Sequence, residues 1–583
     1  MIFGILAGAV LAYVAWTLFC LELNVRKARA MKVPVIRLPI DPNNIPWLIF
    51  QPWLWAILDR FPFDWKSFPD ALRFSRRGWH FYENYDPHLR LGPVWALVTP
   101  VTVILHIAEP GALNDIFWRR KDFLRPVREY ELLRVYGHSI STAGSEDWAR
   151  HRKVLAPPFS ENMMSFVWEE SVNQATAMLR SWDRAWSDGI PSMQKDTRTL
   201  SLNVLASIGL RKSYPFHGTA DPGPPVINEA NSYRDSLQTV LDNIILLLMI
   251  PYRYLTFPFL PQKFKAVGNG AVAFKNHMQR MLDDELSALA RGESGSGGLM
   301  TGFAHALEVH KKEAAVNLPM KDKRGLSVEE VFGNLFVINF AGHDTTANTL
   351  AFAILLLITN PDVQEWVAEE VMAITQNKPP EEWIKDYKRV YPQLKRCRAV
   401  LLESLRLYPS IVAIPKYSSY DTVTLHVASY GEDEPGQTLV IPPRTSIISQ
   451  VLATQTHPLY WTDGMAWKPK RWIVGSADEG KTKEGSIKQQ LENEEIWTPD
   501  KTIYFPWSDG PLSCLGRKLS EVEFVAVLAC MLQSHRLSAK PKFEGETEHQ
   551  IRQRVGKVTN EASFEMLLKI IDADRVRVVC KPV

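Results

Sequence analysis

Residues 328–359 carry the longest run of helical periodicity in the chain, and that run sets the scale of whatever it folds into. Ser327 followed by Glu330 resembles a capping box at its start. Asn360-Pro361 ends it and opens another helix, because proline is tolerated at a first helical position. At 1.5 Å per residue such a helix is ~48 Å long, enough to cross a whole domain. Short β-like stretches cluster near 93–106 and 420–450, so the expected class is mainly α with a small β part. Of 583 residues, 46% are apolar and 22% charged, which supports a sizeable core and excludes global disorder. No internal repeat and no clear second boundary follow residue 55, so 56–583 reads as one large body. Three stretches read as solvated surface loops: 215–225, the glycine-rich 291–298, and the charged run from Asp478 to Glu495.

The amino terminus constrains location. Residues 1–21 contain no charge, and a helix of that length spans about 31 Å, close to the ~30 Å of a hydrocarbon core. Arg26, Lys27, Arg29 and Lys32 follow, and basic residues flanking an apolar span favour the cytoplasmic side. Residues 1–22 therefore read as a single transmembrane anchor with the body of the chain in the cytosol. The alternative is a cleaved signal peptide, but its apolar region is usually shorter and its positive charge precedes the span. Pro34, Pro39, Pro42, Pro46 and Pro52 make 23–55 a basic, proline-rich linker, read as a stiff extended connector. Ile244–Ile250 is too short to span a bilayer; core packing is the favoured reading, and a loop dipping into the membrane near Phe257, Phe259 and Leu260 is the other.

Charge and cysteine usage narrow the function class. Sixty-seven basic against 64 acidic residues give +3, without the basic excess of a nucleic-acid binder. Five scattered cysteines, at 20, 397, 514, 530 and 580, offer no disulfide framework and point to a reducing compartment.

One cysteine stands apart. Residues 505–518 read FPWSDGPLSCLGRK, with Gly510 and Gly516 around Cys514 and an apolar helix behind it. Unpaired N–H groups and the helix dipole at that turn favour a thiolate, which in such a setting can ligate iron. A small buried hydrophobe is the other reading of a lone cysteine. The long helix carries Ala341-Gly342-His343-Asp344-Thr345-Thr346 at its middle. Glycine there costs about 1 kcal/mol, which invites a reason such as close approach of a flat ligand or of O₂. Threonines bonding their own backbone are the ordinary alternative. Glu403 and Arg406, in Glu-Ser-Leu-Arg, share a helix face, and Trp467-Lys-Pro-Lys-Arg-Trp472 places Arg471 where it can reach Glu403.

In this order and spacing, these segments resemble the cytochrome P-450 family of haem-thiolate monooxygenases, over about residues 30–580. The resemblance implies a cytochrome P-450 fold behind a transmembrane helix, haem b with Cys514 as axial ligand, and Asp344 and Thr345 as a proton-delivery pair. It gives Ala341 and Gly342 the role of leaving room for O₂, and Glu403, Arg406 and Arg471 that of an ion-paired triad bracing the cysteine loop. Trp148 and Arg152, in WARHR, match the family's haem-propionate helix, and Lys416 stands where many members place an arginine for the same task. The sequence departs at Trp507, where the family usually has Phe, and at Leu512, where it usually has Arg or His; the latter removes one propionate partner.

The implied activity is insertion of one oxygen atom from O₂ into a lipophilic secondary metabolite such as a polyketide or terpenoid. Ile411, Val412, Ala413, Ile414 and Phe340 suit such a pocket. Electrons would come from an endoplasmic-reticulum NADPH-cytochrome reductase, with cytochrome b5 as an optional second donor. Arg150, Lys153, Arg396, Arg517 and Lys518 would form its basic docking face. Two competing readings are a reductase-independent haem-thiolate isomerase or dehydratase of an oxygenated lipid, and a non-catalytic haem-binding protein.

Overall fold

The computed structural model describes residues 2–583 except 64, 186, 222–231, 320–321, 431–434, 476–486, 501 and 565. Its axis is the expected helix, Val328–Thr359. The Ser327 hydroxyl accepts from the Glu330 amide at 3.3 Å, while the Glu330 carboxylate accepts from the Ser327 amide at 2.8 Å, a capping box that satisfies two otherwise unpaired donors. Asn360 closes the helix by donating to the Leu356 carbonyl at 2.8 Å. Pro361 then starts the helix Pro361–Thr375, which leaves at 111°.

Val331, Leu335, Phe336, Leu350, Phe352 and Leu355 are buried on every side of this central helix. Each such side chain contributes roughly 1.5–3 kcal/mol by leaving water. It crosses the helix Met193–Leu210 and touches the helix Arg517–Ser534, which in turn packs on Glu161–Trp182. The β part is a six-stranded mixed sheet, ordered Val35–Arg37, Val94–Val98, Val103–Ile107, Ser446–Ser449, Ile414–Ser418, Phe123–Leu124. Two-stranded sheets, including Val423–Val427 with Gln437–Ile441, complete it.

The amino-terminal region departs from the sequence expectation. The first helix runs to Ala30, past the end of the apolar span, because Leu21, Val25 and Ala28 are buried against the sheet. The segment 23–55 is not an extended connector. It forms the strand Val35–Arg37 and the helix Ile45–Leu58, in which Pro46 occupies the first turn and Asn44 caps the start by accepting from the Trp47 amide at 3.4 Å. Pro46 at the first turn loses no intrahelical bond, while Pro52 lies inside the helix, which contacts at Ser75 and Arg77 hold in place.

The loop readings hold for 291–298 and for the described part of 215–225; Pro222, Gly223, Pro224 and Pro225 lie outside the described residues. Asp478–Ser486 also lie outside them, and the rest of that charged run forms the helix Ile487–Asn493 and the strand Glu495–Ile496. Within Ile244–Ile250, Leu247 is buried and Ile244 and Leu246 pack half-buried against the core, while Ile245, Met249 and Ile250 are exposed, so core packing accounts for one face of the segment.

Candidate functional site

Cys514 lies on the loop that precedes the helix Arg517–Ser534. Its amide donates to the Trp507 carbonyl at 2.9 Å, closing the loop. Gly510 turns it with φ +67°, and a Cβ there would meet the Phe117 carbonyl oxygen at 2.6 Å, so only glycine fits. Gly516 caps the helix, and a Cβ on it would rest 3.8 Å from the Cys514 sulfur. The Trp507 indole donates to the Ser520 hydroxyl at 3.1 Å, and the Arg517 guanidinium lies 5.1 Å from its ring centre.

Cys514 is solvent-accessible although protein atoms surround it densely, as for a side chain lining a recess. Cys397, Cys530 and Cys580 are buried, and burial pushes each of their thiols up. Burial also raises the Cys514 thiol, against the sequence expectation. The amides of Gly516 and Arg517 and the Arg152 charge pull it down, but burial outweighs them.

The triad forms as read. Both Glu403 oxygens accept from Arg406, at 2.9 Å each, and Arg471 donates to Glu403 at 3.1 Å. Lys468 N–H and the Trp472 indole complete the carboxylate's partners, at 2.8 Å each. Glu403 and Arg406 are fully buried, so removing one partner would strand a charge at a cost of about 3–5 kcal/mol. The brace reaches the cysteine loop through Gln455. Arg406 donates to the Gln455 carbonyl at 2.9 Å, and the Gln455 side-chain oxygen accepts from the Phe505 amide at 3.1 Å.

On the central helix, Ala341 is exposed midway along a mostly buried element. Thr345 Oγ1 donates to the Ala341 carbonyl at 2.9 Å. Asp344 faces elsewhere: Arg198 donates to it at 2.8 Å and also reaches Asp242 at 3.3 Å. Asp344 and Thr345 are adjacent in sequence, but each side chain is held by a different partner. At Gly342 a Cβ would lie 2.8 Å from Leu205 Cδ1, so the glycine admits the close crossing of the helix Met193–Leu210.

Four cations gather without anions. Lys416 is buried on the strand Ile414–Ser418, where burial and the Arg125 charge push its ammonium down to about 8. Arg125 donates to the Ile140 carbonyl at 2.7 Å, and Arg152 to the Ser513 carbonyl at 2.7 Å. Burial lowers both guanidinium values, and each pair of Arg125 with Lys416 and Arg125 with Arg152 repels. Arg120 lies 5.2 Å over the Trp148 ring with a buried Nη1 that has no partner. None of the four makes an ion pair among the described residues. A negatively charged group suits such a setting, since a cation deprived of water without an anion is costly. Arg120 and Arg125 were not found from sequence; no local motif marks them.

Two members of the expected docking face are buried. Arg150 pairs with Asp147 and Glu330, and Arg396 is clamped by Glu494 at 2.7 Å. Asp147, His151 and Glu330 are close enough to suggest a metal site, but Arg150 already occupies the carboxylates. A cleft of about 800 Å³ lies behind the triad, lined by Tyr408, Trp467, Lys468, Arg471, Arg552 and Asn560, and Cys514 does not line it.

The cytochrome P450 family model matches residues 74–566. The chain belongs to the cytochrome P450 family. This P450 is 26% identical to a cytochrome P450 monooxygenase of Arthrobotrys oligospora over 98% of both chains. It is also 26% identical, over 89% of both, to the phomenoic acid biosynthesis cluster cytochrome P450 monooxygenase of Leptosphaeria maculans. The solved cytochrome P450 CYP102L1 shares the fold, with a TM-score of 0.59 at 18% identity, covering 85% of this chain and 96% of that one. The P450 is therefore a monooxygenase whose family uses haem-thiolate iron, O₂, a redox partner and a lipophilic substrate.

Proposed function

We propose that this P450 is a membrane-anchored monooxygenase in which Cys514 holds haem iron and the propionates meet Arg120, Arg125, Arg152, Lys416 and the Trp148 side chain. The observation that carries the reading is the anion-free cation cluster joined to the cysteine loop through Arg152 and Ser513. Leu512 is no obstacle to it, because Arg120 and Arg125 supply charge that the loop lacks. Haem would supply O₂ activation; the chain supplies position, polarity and protons. Gly510, Gly516 and Trp507 shape the loop that presents the sulfur. The Thr345 hydroxyl, which donates to the Ala341 carbonyl, would hold a proton on the side of the helix that faces the cofactor, and Asp344, held by Arg198, would exchange protons with solvent.

One oxygen atom of O₂ enters the substrate and the other leaves as water, with two electrons drawn from NADPH through a membrane reductase. Exposed Ala341 and half-buried Phe340, Ile411, Ala413 and Ile414 suit an apolar substrate. The place of the Leptosphaeria relative in a phomenoic acid biosynthesis cluster favours a secondary metabolite as substrate. The uncharged start of the first helix favours residence in the endoplasmic-reticulum membrane with the catalytic body in the cytosol.

The test is spectroscopic. Cys514→Ala abolishes the red-shifted ferrous–CO band of thiolate-ligated haem, whereas Cys397→Ala keeps it. A retained band in the Cys514 variant refutes the assignment.

A further inference from the structure

His343 stands between Gly342 and Asp344 on the central helix and has no part in the chemistry proposed so far. It is 3% exposed, and its buried Nδ1 has no hydrogen-bond partner. Buried polar groups are normally paired, so such an atom calls for a reason. Three helices bring charge to the ring. Asp344 lies beside it, Arg198 comes from Met193–Leu210, and Asp242 ends Tyr233–Asp242. Burial outweighs all three and lowers the pKa of the ring, so the imidazole is neutral near pH 7.

His343 Nδ1 lies 3.3 Å from Asp344 Oδ1. Two lone pairs at that distance repel, and a proton between them turns the contact into a hydrogen bond. A neutral imidazole donates from one nitrogen only. Two acceptors face this one, the Asp344 carboxylate and the Arg198 backbone carbonyl. The carboxylate is the stronger acceptor because it is charged. The proton therefore belongs on Nδ1, directed at Asp344.

The oxygen it meets is the one that Arg198 Nε also reaches, at 2.8 Å. Asp344 Oδ2 has no hydrogen-bond partner among the described residues. The carboxylate is thus held at one oxygen and left free at the other, and the free oxygen has room for a proton. Arg198 alone is a poor clamp. Its side chain is 34% exposed and that of Asp344 33%, and Arg198 also serves Asp242 at 3.3 Å. Ion pairs exposed to that degree are screened and contribute little. His343 approaches from the buried side, where its hydrogen bond is neither screened nor shared.

We propose that His343 is a positioning residue for the Asp344 carboxylate: its Nδ1–H and Arg198 Nε together fix Oδ1, so that Oδ2 carries the exchangeable proton. The inference deepens the proton role given to Asp344 and rests on that reading. Small errors in the placement of a reacting group are costly in rate, which is why a residue one step removed from the chemistry can matter.

The test uses the full-length haem protein with an NADPH-cytochrome reductase in phospholipid vesicles. The variants are His343→Leu, His343→Asn, Asp344→Asn, and His343→Leu combined with Asp344→Asn. Asparagine keeps a donor near the place of Nδ1; leucine fills similar space and has none. His343→Met repeats the leucine experiment if the leucine form does not fold, because methionine adapts to irregular space. Ferrous–CO formation needs an electron and no proton delivery, whereas NADPH oxidation in air needs both. His343→Leu oxidises NADPH about tenfold more slowly than wild type, with ferrous–CO formation unchanged. His343→Asn stays close to wild type. In the Asp344→Asn background His343→Leu adds no further loss, because the residue acts through Asp344. The thermal midpoint of the ferric protein gives a reading independent of turnover, and the two substitutions combine non-additively there. Wild-type NADPH oxidation in His343→Leu overturns the proposal. So does a leucine form faster than the asparagine form, which is the order that packing alone would give. Additive thermal midpoints would show that the two side chains do not touch, and slowed ferrous–CO formation would place the loss in haem reduction; each overturns it. Failure of the underlying reading looks different: Asp344→Asn itself then oxidises NADPH at the wild-type rate, and the proposal falls with it.

Discussion

Lys416 and Arg125 show how a residue can be unfavourable to the fold and useful to the site. Both are deprived of water, both lack a carboxylate among the described residues, and their charges repel. A purely structural role would provide an acid nearby, as Glu494 does for Arg396 and Glu330 for Arg150. Arg125→Met and Lys416→Met are therefore expected to act in opposite directions on two measurements. Each relieves the repulsion and leaves the haem-free chain no less stable. On the proposed haem placement, each also removes a charged hydrogen bond to a propionate, worth about 1.5–3 kcal/mol, so haem is expected to leave roughly ten- to a hundredfold faster. Transfer of haem to excess apomyoglobin, followed by absorbance, measures this; unchanged transfer rates would remove these residues from the site. Nothing adjacent in sequence marks Arg125, because its relevant neighbours, Arg152 and Lys416, arrive from a helix and a strand far along the chain.

The helix behind Cys514 carries a second buried ionisable group whose behaviour belongs to the element. Glu523 is wholly buried and accepts from the Ser201 hydroxyl at 2.7 Å, and its other oxygen has no partner. Burial pushes its carboxyl up to about 8 from 4.5. The folded chain thus keeps a proton that the unfolded chain releases near pH 4.5, so stability is full below that pH and falls as pH rises toward 8. Glu523→Gln is expected to flatten the dependence of unfolding free energy on pH between 5 and 8, by up to about 1.4 kcal/mol per pH unit, in urea titrations. Equal slopes in the two proteins would show that Glu523 is ionised when folded. Elements of this kind were legible in the sequence where their causes are local: the capping box at Ser327, the stop at Asn360-Pro361, and the Glu403–Arg406 pair one helical turn apart. They were illegible where the cause is a distant neighbour. The sequence alone does not show that Leu205, on a crossing helix, also requires a glycine at 342. Pro46 and Pro52 read as breakers of a helix that tertiary contacts at Ser75 and Arg77 hold in place.

At the scale of the whole molecule, function requires the sulfur loop to lie near a surface that an electron donor can reach. Arg152 ties the helix Ser145–Leu155 to that loop, and Lys153, next along the helix, is exposed. Arg517 is 58% exposed beyond its pair with Glu521, and Lys518 lies 4.7 Å over the Tyr391 ring. With Arg150 and Arg396 buried in ion pairs, the basic face that sequence spacing suggested shrinks to these three. A small patch steers through long-range attraction, which salt of about 0.1 M screens beyond roughly 10 Å. Lys153→Glu combined with Lys518→Glu is accordingly expected to slow the first electron transfer from an NADPH reductase about tenfold at low ionic strength. The deficit shrinks toward wild type as salt rises, because repulsion is screened as readily as attraction. Stopped-flow formation of the ferrous–CO complex reads the rate. Turnover driven by an organic peroxide, which needs no reductase, stays unchanged if the two lysines act only in docking. An unaltered reduction rate at low salt would place the donor on another face, and a parallel loss of peroxide turnover would show that the lysines support the cysteine loop itself.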